Sequence, residues 1–131
     1  MFFNKDFKYD LLLGEMAEGY LGDLLSLKKI EVKMDFQTHR TGNFFIEYEY
    51  RGRPSGIETT EADYWCLIAA TKEAAIKRNN LESLSSSDVL YLVILPTAKL
   101  KAKCLDIKAS RSIKGGADLA SKGVLLRMIT N

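Results

Sequence analysis

The amino-acid sequence predicts an α/β fold in which helices flank a mixed central sheet, and three observations support this class. Apolar residues recur at helical spacing over residues 6–26, alternate with polar residues over 28–50, and form a continuous run bounded by Asp88 and Pro96. The 131 residues suit one domain, 1–131, and 47% hydrophobic with 27% charged residues is ordinary globular usage. The net charge of +2 favours no class of partner.

The first predicted element is a helix over about residues 6–26. The side chains expected to face the core are Tyr9, Leu12, Leu13, Met16, Tyr20 and Leu24. The opposite strip carries Glu15 and Glu18, which lie one helical turn apart and are placed to face a shared neighbour. The helix is therefore expected to bury one face and to present acidic side chains on the other.

Residues 28–50 predict a β-hairpin with one buried face and a turn centred near residues 38–41. The core face is expected to carry Ile30, Val32, Met34, Phe36, Phe44, Ile46, Tyr48 and Tyr50. The charged side chains of the opposite face are Glu31, Lys33, Asp35, Glu47 and Glu49. With this turn Glu31 lies opposite Glu47, and directly opposed like charges destabilise a strand pair. Either Lys33 is the counter-ion of a solvated face, or a hard cation such as Mg²⁺ binds the carboxylates.

The remaining elements follow in order along the chain. A short third strand is expected near residues 55–58, and a helix capped by Thr59 or Thr60 is expected to run to about residue 80. Residues 88–96 predict a buried central strand, because the apolar run is short, rich in branched side chains and closed by Pro96. The last predicted elements are a brief helix over 97–105, a glycine-punctuated loop over 112–123 and a closing strand over 124–130.

Basic residues concentrate around the predicted hairpin, where they are expected to contact nucleic-acid phosphates. The residues chosen from this group are His39, Arg40, Arg51 and Arg53. Cys66 and Cys104 lack a metal-ligand spacing and predict reduced thiols in a cytoplasm. The sequence predicts neither export nor a membrane span.

The sequence around Glu31 resembles a known family. Glu31-Val32-Lys33 in "IEVKMD" matches the E-x-K tripeptide of the PD-(D/E)XK nuclease superfamily, and it follows a helix that carries Glu18, where many members place another active-site glutamate. With "TGNFFIE", "RPSGIETTEADYW" and "GGADLASKG", the chain is similar to small phage-encoded nucleases of that superfamily. The resemblance covers most of the chain and implies a restriction-endonuclease-like core.

The resemblance also implies an activity, hydrolysis of DNA phosphodiester bonds by an endonuclease that uses Mg²⁺ or Mn²⁺. The catalytic residues that it implies are Glu18, Glu31, Lys33, Asp35 and Glu47. Of these, Glu31, Asp35 and Glu47 would hold the metal. By the same analogy we expect a homodimer that acts in the cytoplasm, of a bacterial host if phage-encoded. The alternative is a non-catalytic member of the fold that binds DNA or protein through the hairpin.

Two registrations of the motif stay open. Taking Glu31 and Lys33 as E-x-K leaves no acid on a separate upstream strand, because only twelve residues separate Glu18 from Glu31 and Asp23 is the sole acid at usable spacing. The other registration takes Asp35 as the first acid and Glu47-Tyr48-Glu49 as an E-x-E variant. Asp23 and Glu49 are therefore reserve candidates.

Overall fold

The computed structural model describes residues 5–110, 113–115 and 120–129. The helices in these ranges are α1 (Lys5–Leu27), α2 (Thr38–Thr41), α3 (Lys72–Ile76) and α4 (Thr97–Ser110). The strands are β1 (Ile30–Asp35), β2 (Asn43–Tyr50), β3 (Arg53–Pro54), β4 (Tyr64–Ala70), β5 (Val89–Pro96), β6 (Ile113–Gly115) and β7 (Ser121–Arg127). The α/β class predicted from the sequence is confirmed.

The strands form two sheets, where the sequence predicted one. In the three-stranded sheet β4 is central, parallel to β1 and antiparallel to β5. The four-stranded sheet has the order β3-β2-β7-β6, and all of its pairings are antiparallel. Mixed strand directions are thus confirmed, but they belong to the smaller of two sheets.

The predicted hairpin is wrong, because β1 and β2 lie in different sheets. The physical reason is local. The carboxylate of Asp35 accepts the backbone N–H groups of Gln37 and Thr38, and this Asx-type turn starts the helical turn α2 in place of a tight hairpin turn. The chain therefore leaves one sheet after Asp35 and enters the other at Asn43.

The predicted core face holds for β2 and fails for β1. Phe44, Ile46 and Tyr48 are buried as expected, although Tyr50 is exposed. In β1, Val32 is 56% exposed, and the polar positions face the space between the sheets. The parallel register pairs Lys33 with Leu67 of β4, which directs both side chains to the inner face.

The predicted helix after Thr60 is also wrong, since residues 64–70 form β4 and only α3 is helical. β4 is the central strand of its sheet and carries apolar residues at consecutive positions, most of them buried, so the period-two signal of a strand disappears. Thr71, not Thr59 or Thr60, caps the short helix through a hydrogen bond from the Ala74 N–H. The predicted third strand at residues 55–58 is instead a 3₁₀ turn, Gly56–Glu58, preceded by the two-residue β3.

The later elements agree more closely with the sequence. β5 is a strand as predicted, but it lies at an edge of its sheet, and α4 is longer than expected. The predicted loop over residues 112–123 contains β6, and part of that loop lies outside the described residues. The closing strand is confirmed as β7, although the end of its predicted span also lies outside them.

The core lies between the two sheets and is closed by α4. Trp65 and Leu67 of β4 pack in one cluster with Ile46 of β2 and Leu100 of α4. The ring of Phe44 meets Tyr91 of β5 edge to face, with 6.0 Å between centroids. α1 is confirmed as a helix, but of its predicted core stripe only Leu24 is buried.

Candidate active site

A cavity of about 730 Å³ lies between the two sheets. It brings together three of the predicted residues: Lys33 and Asp35 from β1, and Glu47 from β2. Arg78 and the backbone of Gly56 also line it, and the apolar part of the wall comes from Met34, Phe36, Phe44, Phe45, Trp65 and Leu67. The cavity therefore combines two carboxylates and two cationic side chains with an aromatic wall.

Lys33 is positioned by a chain of polar contacts along the edge of this cavity. Its Nζ lies 3.5 Å from Oε2 of Glu31 and 5.9 Å from the centroid of the Trp65 ring. The other Glu31 oxygen is 3.5 Å from the hydroxyl of Thr60, which accepts a hydrogen bond from the Trp65 indole at 3.2 Å. Glu31 does not line the cavity, and its contact with Lys33 is the ion pair expected of a counter-ion.

The carboxylate of Asp35 joins the two sheets. Oδ1 accepts the N–H groups of Gln37 and Thr38 at 2.7 and 3.0 Å. Oδ2 accepts the N–H of Phe45, in β2, at 3.0 Å. A carboxylate has about four acceptor positions, so these bonds leave little capacity for a cation.

Glu47 has more free capacity. Its Oε2 accepts a hydrogen bond from the Ser55 hydroxyl at 2.9 Å, and Oε1 has no hydrogen-bond partner in the described part of the chain. Gly56 lies directly against the backbone of Glu47, at a φ of +55°, and an added Cβ would overlap the Glu47 carbonyl oxygen. Ser55 thus contacts the side chain of Glu47, and Gly56 contacts its main chain.

The three predicted metal ligands, Glu31, Asp35 and Glu47, do not all converge. Within residues 5–110, 113–115 and 120–129, no three His, Cys, Asp or Glu side chains lie close enough to share a metal ion. Asp35 and Glu47 line one cavity, and one or two carboxylates with substrate phosphates and water are the usual ligand set of Mg²⁺. Of the three, Glu47 has an open oxygen among the described residues, Asp35 keeps about one acceptor position beyond its three backbone bonds, and Glu31 would have to leave Lys33.

The other acidic candidates lie elsewhere. Glu18 and Asp23 are exposed on α1, and neither lines the cavity. Glu49 forms an ion pair with Lys122 of β7, with 3.3 Å between Oε2 and Nζ. The structure therefore groups Glu47 with Lys33 and Asp35, and separates Glu49 from them.

None of the predicted DNA-binding residues lines the cavity. Arg40 is exposed and donates to the Gln37 side chain, and His39 is half-buried with its Nδ1 lacking a partner among the described residues. Arg51 and Arg53 are exposed at the β2–β3 turn, where Arg51 and Gly52 have φ of 51° and 80°. Two successive positive φ angles are the signature of a type I′ hairpin turn, in which the Arg51 guanidinium lies 5.3 Å from the centroid of the Tyr50 ring and Arg53 begins β3.

The sequence reasoning missed Arg78, the second cation of the cavity wall. It follows α3, in a segment that the sequence assigned to the end of a longer helix, so its position opposite β1 had no sequence signal. A second cavity, of about 180 Å³, has a basic rim that was also missed: Lys99, Lys103 and Arg127. The spacing of the two lysines at i and i+4 on α4 is a signal that places them on one helix face.

The two thiols do not belong to the site. Both cysteines are free and buried. Burial raises the pKa of Cys66, and burial followed by the nearby charge of Glu58 raises the pKa of Cys104 to about 11. Neutral thiols are poor nucleophiles and poor metal ligands at neutral pH.

Comparisons of the chain with protein-family models, with curated proteins and with solved structures found no match. No helix in the described ranges is long and apolar enough to cross a membrane.

Proposed function

We propose that the protein is a metal-dependent DNA endonuclease of the PD-(D/E)XK type with a restriction-endonuclease-like core, acting in a cytoplasm. The observation that carries the proposal is the cavity shared by Lys33, Asp35 and Glu47, which come from two different sheets. The resemblance of "EVKMD" and "TGNFFIE" to nuclease motifs names the same three residues from the sequence.

Each residue has a role in this proposal. Asp35 and Glu47 would hold Mg²⁺ or Mn²⁺, and the bound ion would supply Lewis-acid stabilisation of the phosphate and a more acidic water. Lys33 directs its ammonium at the attacked phosphate and stabilises the negative charge that develops there. Glu31 is a positioning residue, because it contacts Lys33 and is itself held by Thr60.

The basic residues bind the DNA backbone in this proposal. Arg78 lines the cavity together with Lys33, and in this proposal it contacts a phosphate next to the one that is cleaved. Arg51 and Arg53, at the exposed turn, contact phosphates further along the duplex, which fixes its position without reading its sequence. His39 and Arg40 lie on α2, at the other end of β2 from that turn, and would contact phosphates there.

Cleavage of linear, nicked and branched DNA in the presence of Mn²⁺ tests the proposal. Glu47→Gln and Lys33→Met are expected to lower cleavage by orders of magnitude, whereas Glu73→Gln, on α3 outside the cavity, is the matched control and leaves it unchanged. Glu49→Gln separates the two registrations, because only the E-x-E variant needs that carboxylate. Absence of cleavage of every DNA form by the wild type would refute the nuclease.

One observation favours a second candidate, a non-catalytic protein that binds DNA or another protein through the same cavity. Both oxygens of Asp35 already accept backbone hydrogen bonds, and Glu31 is paired with Lys33. For this candidate, Mn²⁺ leaves the melting temperature of the wild type unchanged, because an ion that binds only the native state must raise its stability. A Mn²⁺-dependent rise that Glu47→Gln abolishes supports the nuclease instead.

A further inference from the structure

The broad apolar face of α1 is exposed along its length. Its large side chains are 51–75% exposed: Tyr9, Leu12, Leu13, Met16, Tyr20 and Leu27. Only Leu24, near the end of the helix, is buried. An amphipathic helix in water gains its stability mainly from packing this kind of face, so the arrangement calls for a partner surface.

A matching surface exists on the outer side of the three-stranded sheet. Its outward positions carry no charged side chain along β1, β4 or β5. The side chains that form this face include Val32, Ile68, Leu90, Leu92 and Ile94. Val32, Leu90 and Leu92 are 56%, 54% and 49% exposed. A helix docked on a sheet is the ordinary way to bury such a face.

α1 contacts its own sheet near its C-terminal end, where the Tyr20 and Tyr64 side chains share a hydrogen bond and Leu24 is buried, and the connector from α1 to β1 is short. The connector consists of two residues, Lys28 and Lys29. The Lys29 N–H donates to the Asp63 side chain at 3.0 Å, and the Lys29 carbonyl accepts the N–H groups of Asp63 and Tyr64 at 2.9 and 3.1 Å. These bonds hold Lys29 at the start of β4, and the Lys28 N–H still bonds the Leu24 carbonyl, so the connector offers little freedom for the helix to fold back over the sheet.

We propose that two copies of this chain exchange their α1 helices, so that the broad face of each α1 covers the outer face of the partner's three-stranded sheet. The dimension of the helix suits this role, because 23 residues span about 35 Å and strands of six to eight residues span roughly 20–26 Å. A short, fixed connector is also the arrangement in which exchange between copies replaces folding back.

The exposed area is sufficient for a stable dimer. Six side chains that are more than half exposed offer roughly 100 Å² each, or about 600 Å² per helix. Two such helix–sheet contacts, counted on both surfaces, bury on the order of 2,000 Å², which reaches the size of stable homodimer interfaces. The dimer does not depend on DNA cleavage, and it assigns a surface to the homodimer expected from the resemblance.

Sedimentation of the full chain at micromolar concentration tests this surface. The wild type is expected to have twice the mass of one chain. Met16→Glu on the helix and Leu92→Glu on the sheet are each expected to give monomers, because either charge would be buried in both contacts. Glu15→Lys, on the opposite strip of α1, is the control and stays dimeric.

Mixing the two variants is the decisive step. A mixed pair contains one wild-type helix on one wild-type sheet, so Met16→Glu and Leu92→Glu together are expected to recover a dimer that neither forms alone. The mixed dimer also shows that both variants are folded. A monomeric wild type, a dimer that ignores Met16→Glu, or a mixture that stays monomeric would each overturn the exchange.

Discussion

Asp35 links the two sheets through one carboxylate, and replacing it with asparagine should separate its structural role from its chemical one. The asparagine oxygen can still accept from the N–H groups of Gln37 and Thr38. Its NH₂ group then faces the N–H of Phe45, which places a donor against a donor. The bond that joins β1 to β2 is therefore lost.

The expected loss of stability follows from these bonds. A hydrogen bond to a charged acceptor contributes about 1.5–3 kcal/mol, and an unsatisfied, partly buried N–H costs about 1–3 kcal/mol. The two figures overlap, because the energy of the lost hydrogen bond already includes most of the cost of leaving the Phe45 N–H unsatisfied. We therefore expect Asp35→Asn to lower the free energy of unfolding by about 2–4 kcal/mol. Glu47→Gln keeps its bond from Ser55, so its effect should stay within about 0.5–1 kcal/mol.

Urea denaturation followed by tryptophan fluorescence measures both changes. Trp65 is the one tryptophan in the sequence, and its side chain is buried in the wall of the cavity, so its emission reports the packing of the two sheets. Equal stability of Asp35→Asn and Glu47→Gln would refute the bridging role of Asp35. The carboxylate would then be free for a cation.

Three further predictions concern the turns, a thiol and the basic turn residues. Gly56→Ala is expected to lower the melting temperature more than Gly52→Ala. Both positions have a positive φ, but only a Cβ at residue 56 would overlap a carbonyl oxygen, so equal melting temperatures of the two variants would contradict this prediction. Burial raises the pKa of Cys104 from 9.0 to about 11, so the unfolded chain ionises first and stability should fall as pH rises from about 9 to 11. The loss, up to about 2–3 kcal/mol in urea titrations, should be absent in Cys104→Ala. Replacing Arg51 and Arg53 with alanine should lower the salt slope of DNA binding by about one unit per lost phosphate contact, and an unchanged slope in anisotropy titrations would exclude those contacts.

The elements that the sequence predicts correctly are those with a local pattern. α1 has helical spacing, β2 alternates, and β5 is a short apolar run, and each forms as the pattern indicates. The pairing of β1 with β4 has no local signal, since partners such as Glu31 and Trp65 are separated in the sequence by α2, β2 and β3. The sequence assigned β4 to a helix because its unbroken apolar run also satisfies a helical spacing by coincidence.

The candidate site was predicted for a reason that proved wrong, although its members do meet. The hairpin would have placed Lys33, Asp35 and Glu47 on one sheet face, whereas the structure places them on facing sheets around a cavity. The hairpin prediction overlooked Asp35 as a turn signal. The side chain of an aspartate can accept the backbone N–H groups two and three residues later, which favours a turn over continued strand pairing. Arg78 reaches the same cavity through tertiary packing alone.

The pairing of β2 with β7 has a consequence for synthesis of the chain. Asn43 pairs with Arg127, so the four-stranded sheet joins two segments that lie far apart in the sequence. Pairings of such long sequence separation form slowly, because the loop must close before any contact rewards it. Until β7 arrives, Phe44, Ile46 and Tyr48 form an apolar strand with an open edge, which is the kind of surface that chaperones bind. Folding of this sheet therefore has to wait until residues 121–127 have been made.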